Sequence, residues 1–361
     1  MAESLNHHLL YQILQTCPTS YMNIEQFNQI FWQKKRATKT TFSVVDLQLL
    51  KAIFSNVETE SCIGFPSIPE LWQDDWHFSE RTARARYRRL QDLAILTRNP
   101  ILNHGKLGLI PFLKIYDRGD ELSEVEKQFC TWENSLPSDK ILRYLTIPEY
   151  SWFWFESSSQ IGHRIQLRGD GLRIDAFNGT KWELDKLDHE VNEATHHEID
   201  YTGHSFKFRY SDLHLLYNLK ISSSRQVKYV IEETDYSQGF VSRRFKELKE
   251  AGVFEPVFIL WNAGLNERYY LFVEDTEKNL LLIEHLVRRL PRYTFLKANN
   301  CIFALVWLSS ELVPIFLDRC SDLRKNLSLL YGRVIQHNPS YMLNLPLLRD
   351  EKENLWLSEY E

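Results

Sequence analysis

No stretch of this chain is apolar for long enough to cross a bilayer. Its first residues, MAESLNHHLLYQ, lack the basic region and long apolar core of a secretion signal, so none is expected. The five cysteines, Cys17, Cys62, Cys130, Cys301 and Cys320, are scattered and form no C-x-x-C pair. That spacing excludes a zinc ribbon, and the odd number argues against a secreted disulfide framework. A reducing cytoplasm is the expected compartment. Phosphate-binding glycine loops, the dinucleotide fingerprint, H-E-x-x-H and G-x-S-x-G are all missing, so no catalytic constellation emerges and no enzyme is expected. The pairs His7-His8 and His196-His197 are adjacent in sequence, which points their rings apart, so no metal and no other cofactor is expected. Positive charge is not in excess either: the net charge is −5, and any nucleic-acid contact has to come from a local patch.

What is present is an ordinary soluble composition, 43% hydrophobic and 25% charged, with 13% aromatics to fill its cores. A length of 361 residues suggests two or three domains. The most informative stretch is Ser79 to Leu96, SERTARARYRRLQDLAIL. At 100° per residue, Ala83, Tyr87, Leu90 and Ala94 form one stripe, while Arg81, Arg84 and Arg88 lie opposite. Ser79 suits the N-cap. One face is built to pack and the other is cationic.

Around it the periodicity predicts three helices in succession. The first is capped by Ser43 and buries Val45, Leu49, Leu50 and Ile53. The second opens at Ser67-Ile-Pro-Glu70 with a capping box. The arginine helix is the third. Two strands follow, Leu96 to Leu102 and Leu107 to Tyr116, around a turn at Asn103 to Lys106. This order is that of a winged helix-turn-helix, whose third helix enters the major groove and whose hairpin lies along the backbone. Arg98, His104 and Lys106 would then contact phosphates. Downstream, a helix is expected over Leu122 to Trp132, strands over Ile141 to Ile147 and Ser151 to Glu156, and a hairpin turning at Gly169-Asp-Gly171. The acidic segment 185–200 reads as a connection. The aromatic run Tyr150 to Phe155 reads as a buried strand, with base stacking as its other use.

The chain then repeats itself. Asp46, Leu47, Leu49 and Leu50 find counterparts in Asp212, Leu213, Leu215 and Leu216, and Ala83, Tyr87 and Leu90 in Val241, Phe245 and Leu248. A second wing is expected from Val257 to Trp261 and Tyr269 to Glu274. A βαββαβ run then extends to Gln336. The expected fold is α+β, with two winged helix-turn-helix units each followed by a ferredoxin-like unit, the first incomplete. The expected segments are an N-terminal extension (1–42), a first winged helix (43–106), a first ferredoxin-like unit with acidic linker (107–200), a second winged helix (201–266), and a second ferredoxin-like unit with tail (267–361).

Asp46-Leu-Gln-Leu-Leu50, Ser79-Glu-Arg-Thr-Ala-Arg84 with Arg88-Arg-Leu90, and Lys106-Leu-Gly108 carry a resemblance to the leucine-responsive, or feast/famine, family of transcription factors. The resemblance implies a DNA-binding regulator of transcription that forms oligomers through its ferredoxin-like units and binds an amino-acid-like effector. Arg81, Thr82, Arg84, Ala85 and Arg88 would face the major groove of double-stranded DNA, Arg98 and Lys106 its phosphates, and Arg243, Lys246 and Lys249 would serve in the less basic second unit. The competing expectation is a winged-helix module for protein interaction or assembly that binds no DNA, its arginine face meeting an acidic partner.

Overall fold

The computed structural model describes residues 21–23, 42–55, 68–73, 76–92, 95–117, 119–120, 130–136, 140–148, 163–189, 195–199, 208–221, 231, 234–261, 263–334, 336–338 and 341–343. In chain order the elements are β1 (Tyr21–Asn23), α1 (Val44–Ser55), α2 (Ile68–Leu71), α3 (Glu80–Asp92), β2 (Leu96–Leu102), β3 (Leu109–Asp117), β4 (Cys130–Leu136), β5 (Lys140–Pro148), β6 (His163–Leu172), α4 (Leu184–Asp188), β7 (Thr195–Glu198), α5 (Tyr210–Ile221), α6 (Gln238–Glu250), β8 (Phe254–Leu260), β9 (Glu267–Glu274), α7 (Glu277–Val287), β10 (Arg292–Ala298), β11 (Cys301–Leu308), α8 (Val313–Arg324), β12 (Leu330–Arg333), β13 (Gln336–Asn338) and β14 (Tyr341–Leu343). The fold is mixed α+β around a ten-stranded sheet. Among the described residues no helix is long and apolar enough to cross a membrane.

Both helical lobes start the same way. Ser43 Oγ accepts from the Asp46 amide at 3.2 Å, and Asp46 Oδ2 accepts from the Ser43 amide at 2.7 Å, a reciprocal cap that satisfies two first-turn donors. Ser79 caps α3 through the Thr82 amide at 3.3 Å, and Ser237 caps α6 through Phe240 at 3.3 Å. Ala83, Tyr87 and Leu90 are buried in one core, and Val241, Phe245 and Leu248 in another, as their periodicity predicts. Each lobe also buries an aspartate completely. Asp212 receives Arg244 through two bonds of 2.6 and 2.7 Å. Asp46 has Arg86 and Arg89 at 3.7 and 3.6 Å. Arg86 and Arg244 precede the matched aromatics Tyr87 and Phe245, so acid–arginine ties join α1 to α3 and α5 to α6 at matched positions.

The expected wings do not form. β2 pairs with β8, antiparallel, from Leu96↔Leu260 to Leu102↔Phe254, and neither pairs with the strand that follows it in sequence. A 3-10 turn at Gly105–Leu107, closed by Gly108 at φ 72°, leads straight from β2 into the large sheet. The reason lies in the ends of the two strands. Leu96 and Leu260 are buried in the core of the first lobe, and Leu102 and Phe254 in that of the second. The long-range ribbon thus buries four apolar side chains in two cores. Pro100 faces Pro256 within it, tolerable because each strand of a two-stranded ribbon has an edge with no ladder to maintain.

The large sheet runs β12-β9-β11-β10-β6-β3-β5-β4-β13, with β7 beside β6. α7 and α8 cover one face of its second half, where Ile283, Leu286, Phe316 and Cys320 meet Tyr293, Phe295, Ala304 and Val306. On the other face, Leu113, Leu142 and Tyr144 from the first half are buried with Leu296, Phe303 and Leu305 from the second. This face of the sheet is therefore covered from within the chain.

Three local expectations change. Gly169-Asp-Gly171 is not a turn but the middle of β6, which pairs with β10. A Cβ on Gly171 would sit 2.2 Å from the Tyr293 ring, so close approach explains this glycine. The acidic segment 185–200 contributes α4 and β7. Trp132 lies in β4, not at the end of a helix. Most of the N-terminal extension (1–42), most of the expected helix over 122–132, and the strand and aromatic run at 150–156 lie outside the described residues.

Candidate functional site

The densest polar group in the interior lies where β6 and β10 join the two halves of the sheet. The register shifts between Lys297 and Ala298, which face Leu167 and Ile165, leaving Gln166 as a bulge. A bulge re-aims the side chains beyond it. Here it brings Arg168 and Asp170 onto the same face as Ile165, opposite Leu296 and Thr294. Arg168 donates to Asp170 at 2.7 Å, and Thr294 Oγ1 donates to the same carboxylate. Burial pushes the Asp170 carboxyl up, but Arg168 and these hydrogen bonds outweigh it and hold it below the ordinary carboxylate range. Burial is also the largest influence on Arg168, acting against its charge, and Asp170 reverses the outcome. Yet the two side chains stay 27% and 29% exposed. Groups that protein surrounds but solvent still reaches line a cleft.

Arg292 begins β10 beside them. Its guanidinium lies 4.7 Å from the centre of the Trp307 ring and 5.4 Å from that of Trp261. Among the described residues it donates to the Leu260 carbonyl across a long 3.5 Å contact. A guanidinium has five N–H donors, so most of them stay available. Burial brings its pKa down to about 10; Asp170 opposes that shift and Arg268 adds to it. The indole faces compensate part of the lost hydration, because their ring quadrupole attracts a cation. Tyr144 closes the first-half side of the cleft. Burial pushes its hydroxyl up to about 12 against the pull of Arg168, so it stays protonated, and its oxygen lies 3.3 Å from His104 Nδ1. The cleft can therefore offer a clamped guanidinium, a paired carboxylate, a neutral phenol and indole surface.

Apart from His104, read as a phosphate contact, none of these residues was singled out by sequence as a binding residue. An R-x-D on a glycine-broken strand carries no local signal, and Arg292 gains meaning only when β8, β10 and β11 converge. The residues that were singled out lie elsewhere. Arg81, Thr82, Arg84, Ala85 and Arg88 are exposed on α3, with Arg84 held by Glu80. Arg98 is on β2 opposite Phe258, within the ribbon rather than on a wing. His104 is buried against Tyr144 and faces no phosphate. Lys106 is half-buried in the 3-10 turn. On α6, Arg243 and Lys246 are exposed but meet Glu247 and Glu250 at 3.9 and 3.8 Å, and Lys249 is half-buried. Among the described residues no cluster of His, Cys, Asp or Glu could hold a metal ion.

No protein-family model matches the chain, and no curated protein matches it. Among solved structures, the siroheme decarboxylase NirDL, in co-complex with an iron-uroporphyrin III analogue, is similar over 80% of this chain and 90% of that one. The identity is 14% and the TM-score 0.41, so the likeness assigns no activity or ligand to this chain. These findings correct the first reading. The feast/famine resemblance finds no match in either sequence comparison. The neighbour is an enzyme holding a porphyrin analogue, and no comparison supports a transcription regulator, duplex DNA, an amino-acid-like effector or the expectation of no enzyme, so these readings are not retained. The structure supplies physical reasons of its own. The strands β2 and β8 are consumed in the ribbon, and Arg243 and Lys246 on α6 stand beside glutamates of their own helix.

Proposed function

We propose that this chain binds a small organic anion with a flat, unsaturated body in the cleft between the two halves of its sheet. One observation carries the reading: Arg292 lies against two indole rings beside Arg168 and Asp170, and few of its donors are used among the described residues. A guanidinium kept below its ordinary pKa gains when an anion joins it, since the anion restores the charge balance that burial removed. Its planar fork suits a carboxylate or phosphate, and Trp261 and Trp307 suit an unsaturated ring. Asp170, already engaged by Arg168 and Thr294, repels an anion placed on its own side and so fixes orientation.

The scaffold is read as a duplication, with helical lobes at 43–106 and 201–266 and ferredoxin-like units at 107–200 and 267–361. The strand orders β6-β3-β5-β4 and β12-β9-β11-β10 follow the same sequence pattern, fourth-first-third-second, which supports this reading. A cytoplasmic location fits Cys301 and Cys320, which are free thiols. The test is thermal stability against a panel of aromatic and conjugated carboxylates and phosphates, for the native chain and Arg292→Gln. A ligand at 100 times its Kd adds about 2.7 kcal/mol. Stabilisation by a panel member that Arg292→Gln abolishes supports the site. No stabilisation by any member at millimolar concentration, or stabilisation that survives the substitution, removes it.

A further inference from the structure

A second surface lies on the first helical lobe, away from the cleft. Arg81, Arg84, Ala85 and Arg88 are exposed along one side of α3, opposite buried Ala83, Tyr87 and Leu90. Among the described residues, Glu80 pairs with Arg84, and neither Arg81 nor Arg88 has an acidic side chain within ion-pair distance. The matched helix α6 is built otherwise. Its exposed Arg243 and Lys246 each have a glutamate four residues on, at 3.9 and 3.8 Å. Both helices bury the same three positions, so an uncompensated cationic stripe is not a condition for packing this element. It is particular to α3.

An aromatic group stands at the N-terminal end of the same helix. Trp72 follows α2 and is 37% exposed. Its ring meets Trp76 edge-on at 5.2 Å and Phe78 at 6.1 Å, while Trp76 stacks on Phe78 at 5.0 Å. Phe78 directly precedes the α3 cap. The stack holds Trp72 in place, so its exposed face is presented with little entropy left to lose. Tryptophan and arginine are the residue types that most often dominate protein interfaces.

We infer that Trp72 and the Arg81–Arg84–Arg88 stripe form a docking surface for an acidic peptide segment carrying an apolar side chain, supplied by a partner protein. Charge decides the class of partner. Among the described residues Arg81 and Arg88 lack the ion pairs that Arg243 and Lys246 make, and acidic side chains complement them. Duplex DNA fits less well, because Glu80 occupies the first turn where phosphates would approach and no wing flanks the helix.

The test is fluorescence anisotropy with a labelled twelve-residue peptide of glutamates around a central leucine, at about 50 mM salt. The native chain, Arg81→Glu/Arg88→Glu and Trp72→Ala are compared, each checked for an unchanged far-ultraviolet spectrum, beside a random duplex DNA of equal charge. The expected result is saturable peptide binding that weakens at least tenfold in the charge-reversal variant and at least threefold in Trp72→Ala. No peptide binding by the native chain overturns the proposal. So does binding that ignores Trp72, which is plain polyelectrolyte attraction, and so does tighter binding of the DNA than of the peptide. Arg292→Gln, which empties the cleft, is expected to leave peptide binding unchanged, so the two sites stand or fall separately.

Discussion

The two buried aspartates offer a sharp test of how the repeats are held. Asp212 and Asp46 sit at matched positions and are both fully buried. Each accepts a backbone amide at 2.7 Å, from Arg209 and from Ser43, so that contribution is common to both. Their arginines differ. Arg244 has a side chain 8% exposed and makes two direct bonds to Asp212. Arg86 and Arg89 are 40% and 38% exposed and stand off at 3.7 and 3.6 Å. Removing Asp212 strands a buried charge that cannot reach water, although Glu247 retains one contact with it. Such a loss costs about 3–5 kcal/mol. Removing Asp46 frees two arginines that can turn outward, so the cost falls to about 1.5 kcal/mol, the value of a lost bond to a charged group. At about 1.3 °C per kcal/mol for a chain of 361 residues, Asp212→Ala should lower the melting temperature by roughly 4–7 °C and Asp46→Ala by roughly 2 °C. Circular dichroism melts of the two variants read this directly. Equal shifts, or a larger one for Asp46→Ala, would refute the argument that partner exposure decides the cost. Arg244→Met added to Asp212→Leu should recover part of the loss, because an apolar pair leaves no stranded charge.

Other expectations follow from the same geometry. Gly171→Ala drives a methyl into the Tyr293 ring and should destabilise the β6–β10 junction, while Tyr293→Leu in the same chain should restore much of the stability; melts of the three variants check this. Anion binding in the cleft should be full at neutral pH and decline with a midpoint near pH 10, since Arg292 is charged below about 10 and neutral above it; titration calorimetry across pH 8 to 11 reads the midpoint, and an undiminished affinity at pH 11 sinks the role of Arg292. The depressed carboxyl of Asp170 contributes stability that is present above the ordinary carboxylate range and lost as pH falls through its lowered value, so Asp170→Asn should flatten the acid limb of the stability curve below about pH 4. Cys301 and Cys320, both with thiols pushed up to about 12 by burial, should resist alkylation at pH 7.5 until the chain unfolds, which peptide mapping after a maleimide pulse would show.

Sequence alone determined the elements whose information is local. Apolar spacing fixed the buried faces of α1, α3 and α6, and the serines before α1 and α3 marked their starts, because a helix states its period and its cap within a dozen residues. The matched burial of Asp46 and Asp212, and of Tyr87 and Phe245, was legible in part, since these residues recur in similar company. Only tertiary structure decided the rest. Whether Leu96 to Leu102 makes a wing or a ribbon depends on which core claims Leu102 and Leu260, a choice between partners far apart in the chain. Gly169 and Gly171 signal a turn locally, yet both lie within β6, and Gly171 is the bare backbone that Tyr293 packs upon. The cleft is the extreme case. Arg168, Asp170, Arg292, Trp261 and Trp307 come from three strands and a loop, and one bulged residue sets which way two of them point. Charge on α3 could be seen from the sequence. What it meets is decided by the surface around it, where Glu80, Trp72 and a missing wing turn the choice from nucleic acid toward an acidic partner.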